Sequence, residues 1–314
     1  QQQLFGATSA EVSELLGLYI QVLSANDLRD EAESVARKAY QDSRADPAMP
    51  LARRIAAADA FAQVLLNSGK PEQAEPLFRE SLGLEQTLYG KDDLRTTAAI
   101  NNLAVSLQRQ QHFDGAASLF EQVVLIRKRE LGATDVRIAR ALMAAGQARE
   151  LALQYSAAID LLREGIALWH KGTATRDERY LRGTLSLIRA LEQQTDLREA
   201  LRVAQSLQPY TDGEMRDYGA NLAGDMRLLQ ARLLHRSGEP DAACAAINRL
   251  LATPNLKPRI NPEGQILAAH CLQQQGKSAA AQAVIGKLDR SADALARVSA
   301  YSRGLLSELT PDAD

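Results

Sequence analysis

Apolar residues recur along this chain at helical spacing, and short polar clusters interrupt them at a nearly constant interval. Between Ala98 and Gly132 the pattern is complete. Leu103, Ala104 and Leu107 share one helix face. Gln110-Gln111-His112 breaks the pattern. Phe113, Ala116, Leu119, Phe120, Val123 and Val124 then line the inner face of a second helix. The same residue types recur 42 positions earlier, at Ala62, Leu65, Ala74, Phe78 and Gly90. They recur again 42 positions later, at Gly146, Ala158 and Leu162. A fixed period of this size predicts a stack of helix pairs.

The pattern predicts pairs over about 9–45, 51–90, 94–132, 134–172, 176–209, 214–254 and 259–289, with a closing helix over about 291–309. Thr8-Ser9-Ala10-Glu11 reads as a capping box for the first helix. Prolines at Pro47 and Pro50 predict a linker over 46–50. Ser68-Gly69-Lys70-Pro71 and Ser237-Gly238-Glu239-Pro240 predict turns, with glycine ending one helix and proline starting the next. Gln194-Thr195-Asp196 occupies the same place without glycine. Ile188 stands where the other first helices carry Ala or Gly, and Ser291-Ala292-Asp293 is expected to cap the last helix.

This unit resembles the tetratricopeptide repeat, specifically the 42-residue kinesin-light-chain variety. The residues that carry the resemblance are Asn101 to Ala104 (NNLA), Ala116, Phe120 and the closing Leu131-Gly132. It is strongest over 51–172. The resemblance implies an all-α fold, a right-handed α-solenoid of about seven helix hairpins plus a C-terminal capping helix, forming one domain over 1–314. Its small positions have a physical cause: helices of a pair approach closely only where Ala or Gly removes the side chain.

Composition narrows the function. A net charge of −2 and 4% aromatic residues argue against a nucleic-acid site, which needs a basic stripe interleaved with aromatics. No apolar run reaches the length of a membrane span, so no membrane contact is expected. Four histidines (His112, His170, His235, His270) show no metal-ligand spacing, though His235 and His270 fall on neighbouring first helices. No phosphate-cradling glycine loop and no nucleophile elbow is present. Glu150 and Glu192, one period apart, are expected as solvated carboxylates. Cys244 and Cys271 are expected as free, partly buried thiols, although their helices are neighbours. The expectation is therefore a chain without catalytic residues, metal or cofactor. Its compartment is expected to be the cytosol, or the periplasm if a membrane span precedes the repeats. The chain opens on Gln1-Gln2-Gln3 and is expected to be a segment of a longer protein.

In tetratricopeptide arrays the first helices line a concave groove. The resemblance puts Asp59, Gln63, Asn101, Val105, Gln108, Arg109, Arg140, Gln147, Arg182, Arg189, Arg232, His235, Arg236 and His270 there. Met143, Glu150, Leu185, Glu192, Leu228, Ile266 and Gln273 fall in the same register. Asn101 matches an asparagine that bonds the backbone of an extended peptide in groove-binding members, a role suited to an amide that donates and accepts. The arginines predict an acidic or phosphorylated partner segment. The function expected is a protein- or peptide-binding scaffold within a larger bacterial signalling protein, similar to the repeat region of serine/threonine kinases. The alternatives are a free-standing chaperone or assembly adaptor, or the effector region of a transcriptional regulator.

Overall fold

The computed structural model describes residues 17–20, 22, 23, 26, 28–172, 177–207, 220–251, 260–289, 291, 294, 295 and 298–310. Among them every long element is an α-helix and none is a strand. The chain packs as two compact units, Gln1–Gly183 and Thr184–Asp314. The expected capping box at 8–11 lies outside the described residues, as do 208–219 and 252–259.

In the first unit, α1 (Arg29–Ala45) is followed by α2 (Leu51–Asn67) and α3 (Pro71–Tyr89). Next come α4 (Thr97–Arg109), α5 (Phe113–Glu130), α6 (Val136–Leu151) and α7 (Tyr155–Gly172). α8 (Glu178–Gln193) carries the boundary between the units. The second unit continues with α9 (Leu197–Gln205), α10 (Ala220–Arg236), α11 (Pro240–Leu251), α12 (Ile260–Gln274), α13 (Ser278–Ile285) and α14 (Ala300–Leu309). Consecutive helices from α1 to α7 pack on one another, as do those from α9 to α13, and α14 packs on α12.

The proline signals act as expected. Pro50 caps α2, and Pro71 and Pro240 open α3 and α11, where the missing N–H has no helical partner to lose. Between α1 and α2 the Ala48 N–H donates to Asp46 Oδ1 at 2.9 Å, which tightens the linker.

Each pair closes on one residue in the left-handed conformation. These residues are Gly69 (φ +73°), Gln111 (+64°), Leu153 (+62°), Thr195 (+63°), Gly238 (+76°) and Gly276 (+73°). The first four are 42 residues apart. In all six turns the following N–H reaches the carbonyl five residues back, as from Lys70 to Leu65 and from Asp196 to Leu191, at 2.9–3.1 Å. This Schellman closure satisfies carbonyls that the helix end leaves open. Its geometry is the same whether or not glycine supplies it, so three side chains are held in a conformation that favours glycine.

The small positions are buried in each unit. Ala32, Ala74, Ala116, Ala158, Ala200 and Ala243 are all fully buried on second helices. On first helices Ala62, Ala104, Ala231 and Ala269 are equally buried, and a Cβ on Gly146 would lie 2.5 Å from Leu162 Cγ. Phe78, Phe120 and Leu162 occupy the large position of second helices, one period apart. In the next pair the sizes are exchanged: Ile188 takes the small position and Ala204 the large one, and both are buried.

Two expectations are corrected. The closing helix does not run unbroken from 291. Ser291 caps a short turn through Ala294 N–H, and a second cap at Ser299, accepting from Ser302 N–H, starts α14. Cys244 and Cys271 are joined by a disulfide, because α11 and α12 bring their Cα atoms to 5.8 Å. The bridge closes a loop of 27 residues' separation, a constraint worth on the order of 3 kcal/mol in the chain-entropy view.

Because Thr195 is β-branched and φ-positive, Thr195→Gly is expected to raise unfolding free energy by about 1 kcal/mol in urea denaturation. A neutral or lower value would mean that the turn bears no strain.

Candidate binding surfaces

The expected groove residues fall into groups with different fates. Asp59, Asn101, Met143, Leu185, Leu228 and Ile266 share one register. Met143 is 2% exposed, Leu185 4% and Ile266 0%. This register points into the stack, as the approach of Met143 to Gly165 and Gly183 shows. Asn101 is half-buried in that column. The position one turn later stays open to solvent in the first unit: Gln63 is exposed, and Val105 and Gln147 are half-buried. Gln63 donates to Asn67 on its own helix. Gln108 is half-buried, and Arg109 and Arg140 are exposed. The Arg140 guanidinium stands 5.6 Å over the Trp169 ring. Arg182 pairs with Glu178 one turn back on α8.

Asp59 has a different role from the one expected. One carboxylate oxygen is buried without a partner, and so is one oxygen of Glu85 on α3. Burial pushes Asp59 up, and the nearby Ser81 hydroxyl favours the charged form without completing a hydrogen bond. Burial and then the Asp59 charge push Glu85 up to about 7. Two carboxyls, from α2 and α3, thus meet inside one hairpin. Sequence reasoning missed this pair, because 26 residues separate its members and neither shows a helix-spaced partner.

In the second unit the expected groove residues bind one another. Arg232 donates from Nε and Nη2 to Glu192 at 2.8 and 2.7 Å, and from Nη1 to Glu263 at 3.0 Å. Arg236 donates to Glu192 at 2.9 Å. Ser302 donates to Glu263 at 2.9 Å, and Ser299 also bonds that carboxylate. Glu192 and Glu263 are each 3% exposed, which corrects the expectation of a solvated Glu192. Burial raises Glu192, but Arg232 and Arg236 outweigh it and hold the carboxyl below its ordinary range. Burial also works against the charge on Arg232, and the two carboxylates more than offset it. Arg189 donates to Ser186 on its own helix.

The network continues through the histidines. His235 Nε2 lies 2.9 Å from His270 Nδ1, and His235 Nδ1 lies 2.7 Å from the Tyr301 hydroxyl. Arg236 stacks 5.2 Å above the Tyr301 ring, and Glu308 stands 3.6 Å from His270 Nε2. Burial, and then His270, push His235 below its ordinary value, against the pull of Glu308. The arginines and histidines expected to read a ligand in this unit therefore fasten α8, α10, α12 and α14 together. Among the described residues no group of three or more His, Cys, Asp or Glu is placed to hold a metal, and no helix is long and apolar enough to cross a membrane.

A tetratricopeptide-repeat family model matches residues 54–128 and again 95–170. Residues 54–170 are tetratricopeptide repeats. This span coincides with α2 to α7, where the register is most regular. No curated protein matches the chain. Solved structures share the fold at low identity. A tetratricopeptide repeat protein from Parabacteroides merdae aligns with 16% identity and TM-score 0.60, covering 96% of this chain and 99% of its own. The apo form of RapI aligns with 14% identity and TM-score 0.63, covering 96% and 77%. Kinesin-light-chain, tetratricopeptide-like repeats from Podosopora anserina align with 17% identity and TM-score 0.57, covering 68% and 100%.

Two outcomes follow from the buried charges. Glu85 has a folded pKa above its unfolded value, so its ionisation destabilises the fold as pH rises through about 7. Glu85→Gln is therefore expected to raise stability at pH 8 by about 1 kcal/mol, after solvent screening, and to change nothing at pH 4. Thermal melts at the two pH values check it. Arg232→Ala leaves two buried carboxylates short of a partner and is expected to cost about 3–5 kcal/mol in chemical denaturation. A loss below about 1 kcal/mol would show the network to be solvated.

Proposed function

We propose that this protein is a non-catalytic interaction scaffold, and that it holds an extended segment of a partner protein on the first-helix face of α2, α4 and α6. Stacked repeats present a fixed surface without chemistry of their own. The observation that carries the reading is a row of side chains on that face that the fold leaves available: Gln108, Arg109, Arg140 and Gln147. The amides suit a peptide backbone, which needs both a donor and an acceptor. The exposed arginines suit an acidic or phosphorylated side chain. Arg182, Arg232 and Arg236 already meet carboxylates of this chain, so anion recognition belongs to the first unit in this reading.

The resemblance to repeat regions of bacterial serine/threonine kinases supports a place within a signalling protein. Cytosolic placement rested on free cysteines, and the Cys244–Cys271 bridge favours an oxidising compartment such as the periplasm.

The test is capture from native lysate by the protein and by a Gln108→Ala/Arg109→Ala/Arg140→Ala/Gln147→Ala variant, with mass spectrometry of the retained proteins. Partners are expected to be lost with the variant while its melting temperature stays within a few degrees of the parent. Equal retention would overturn the assignment to this face.

A further inference from the structure

A cavity of about 530 Å³ opens beside α9, lined by Leu197, Arg198, Leu201 and Arg202 from that helix and by Ser237 and Glu239 from the α10–α11 turn. Its size is within the range of ligand-binding clefts. Leu201 is buried and Leu197 half-buried, so the floor is apolar, while Arg198 and Arg202 stand exposed one turn apart at the rim. Neither arginine forms an ion pair among the described residues, unlike Arg232 and Arg236 in the same unit.

Arg198 differs from the residue at the same place in three other second helices. It is the second residue of α9, where the helix dipole favours a negative charge. The equivalent second residues are Glu72 in α3, Asp114 in α5 and Asp241 in α11. Arg202 is in the last turn, where a cation suits the dipole, so helix stability accounts for it. Arg198 follows the capping Asp196 by two residues, as Arg137 follows Asp135, but unlike Arg137 it makes no ion pair with its cap. An exposed arginine at a cavity rim with no ion-pair partner among the described residues is available to a ligand.

We propose that this cavity docks an acidic segment of a partner protein, with an apolar side chain on Leu197 and Leu201 and a neighbouring carboxylate held between Arg198 and Arg202. Two guanidinium groups one helical turn apart can grip one carboxylate from both sides. Ser237 adds a hydroxyl that donates or accepts. Glu239, which lines the same cavity from the α10–α11 turn, repels a second carboxylate and so favours a segment with its acidic residue toward α9. The site lies on a second helix, apart from the first-helix face, and stands if that assignment fails.

The test is fluorescence anisotropy of the full chain with a short fluorescein-labelled peptide alternating leucine and glutamate, and with its leucine–glutamine counterpart. The glutamate peptide is expected to bind, with affinity reduced about tenfold or more by Arg198→Glu and by the glutamine exchange. Arg198→Glu restores the acid that the helix favours, so its melting temperature is expected to equal or exceed that of the parent. An Arg109→Ala/Arg140→Ala variant is expected to bind as the parent does. Equal affinity for Arg198→Glu or for the glutamine peptide would overturn the proposal. Loss in the Arg109→Ala/Arg140→Ala variant would overturn it too, by moving the site to the first-helix face. Full displacement by an equimolar amount of inorganic phosphate would do the same, by showing a site for a free anion.

Discussion

Two helices can meet backbone to backbone only where one of them gives up its side chain. That constraint recurs at an alanine or glycine in each pair, and the rest of the pair is arranged around it. In the first unit the fully buried alanines from Ala32 to Ala158 line the second helices, and Ala62, Ala104 and Gly146 lie on the first. At Gly146 a single added carbon would run into Leu162. Phe78 and Phe120 fill the space beside their small neighbours, as close packing requires. The exchange at Ile188 and Ala204 obeys the same rule with the roles reversed. What the fold conserves between pairs is summed volume, not the identity of either residue.

The two units use charge differently. In the first, ion pairs run between adjacent helices near the surface, as from Arg149 on α6 to Glu121 on α5. In the second, charges one repeat apart turn inward and neutralise each other, leaving Glu192 and Glu263 almost without solvent. A buried ion pair adds little net stability but tolerates no missing partner. It therefore fixes which helix faces which, and this unit, which lacks the regular register of residues 54–170, has more need of that.

The repeat was legible because it rests on residue size at a constant spacing, and Ala62, Ala104 and Gly146 state that openly. The turn at Gly69 was legible too, because glycine announces a positive φ. The same conformation at Leu153 and Thr195 was not, because only the closure between the flanking helices imposes it. The burial of Met143 and Leu185 was not legible for a related reason. Asn101 suggests an outward face for its register, whereas Met143 and Leu185, one and two periods later, are buried. Glu192 was expected to be solvated and Arg232 to meet a partner's acid, because the two were not weighed against each other. Opposite charges 40 residues apart, close to one period, were the available signal.

The disulfide changes what a broken chain would mean. A protease that cuts any peptide bond between Cys244 and Cys271 severs the polypeptide but releases nothing, since α11 and α12 stay covalently tied. The two fragments would part on a gel only after reduction. A nick in this stretch would thus go unnoticed by size alone, and the last two repeats would persist as a stapled, two-chain body.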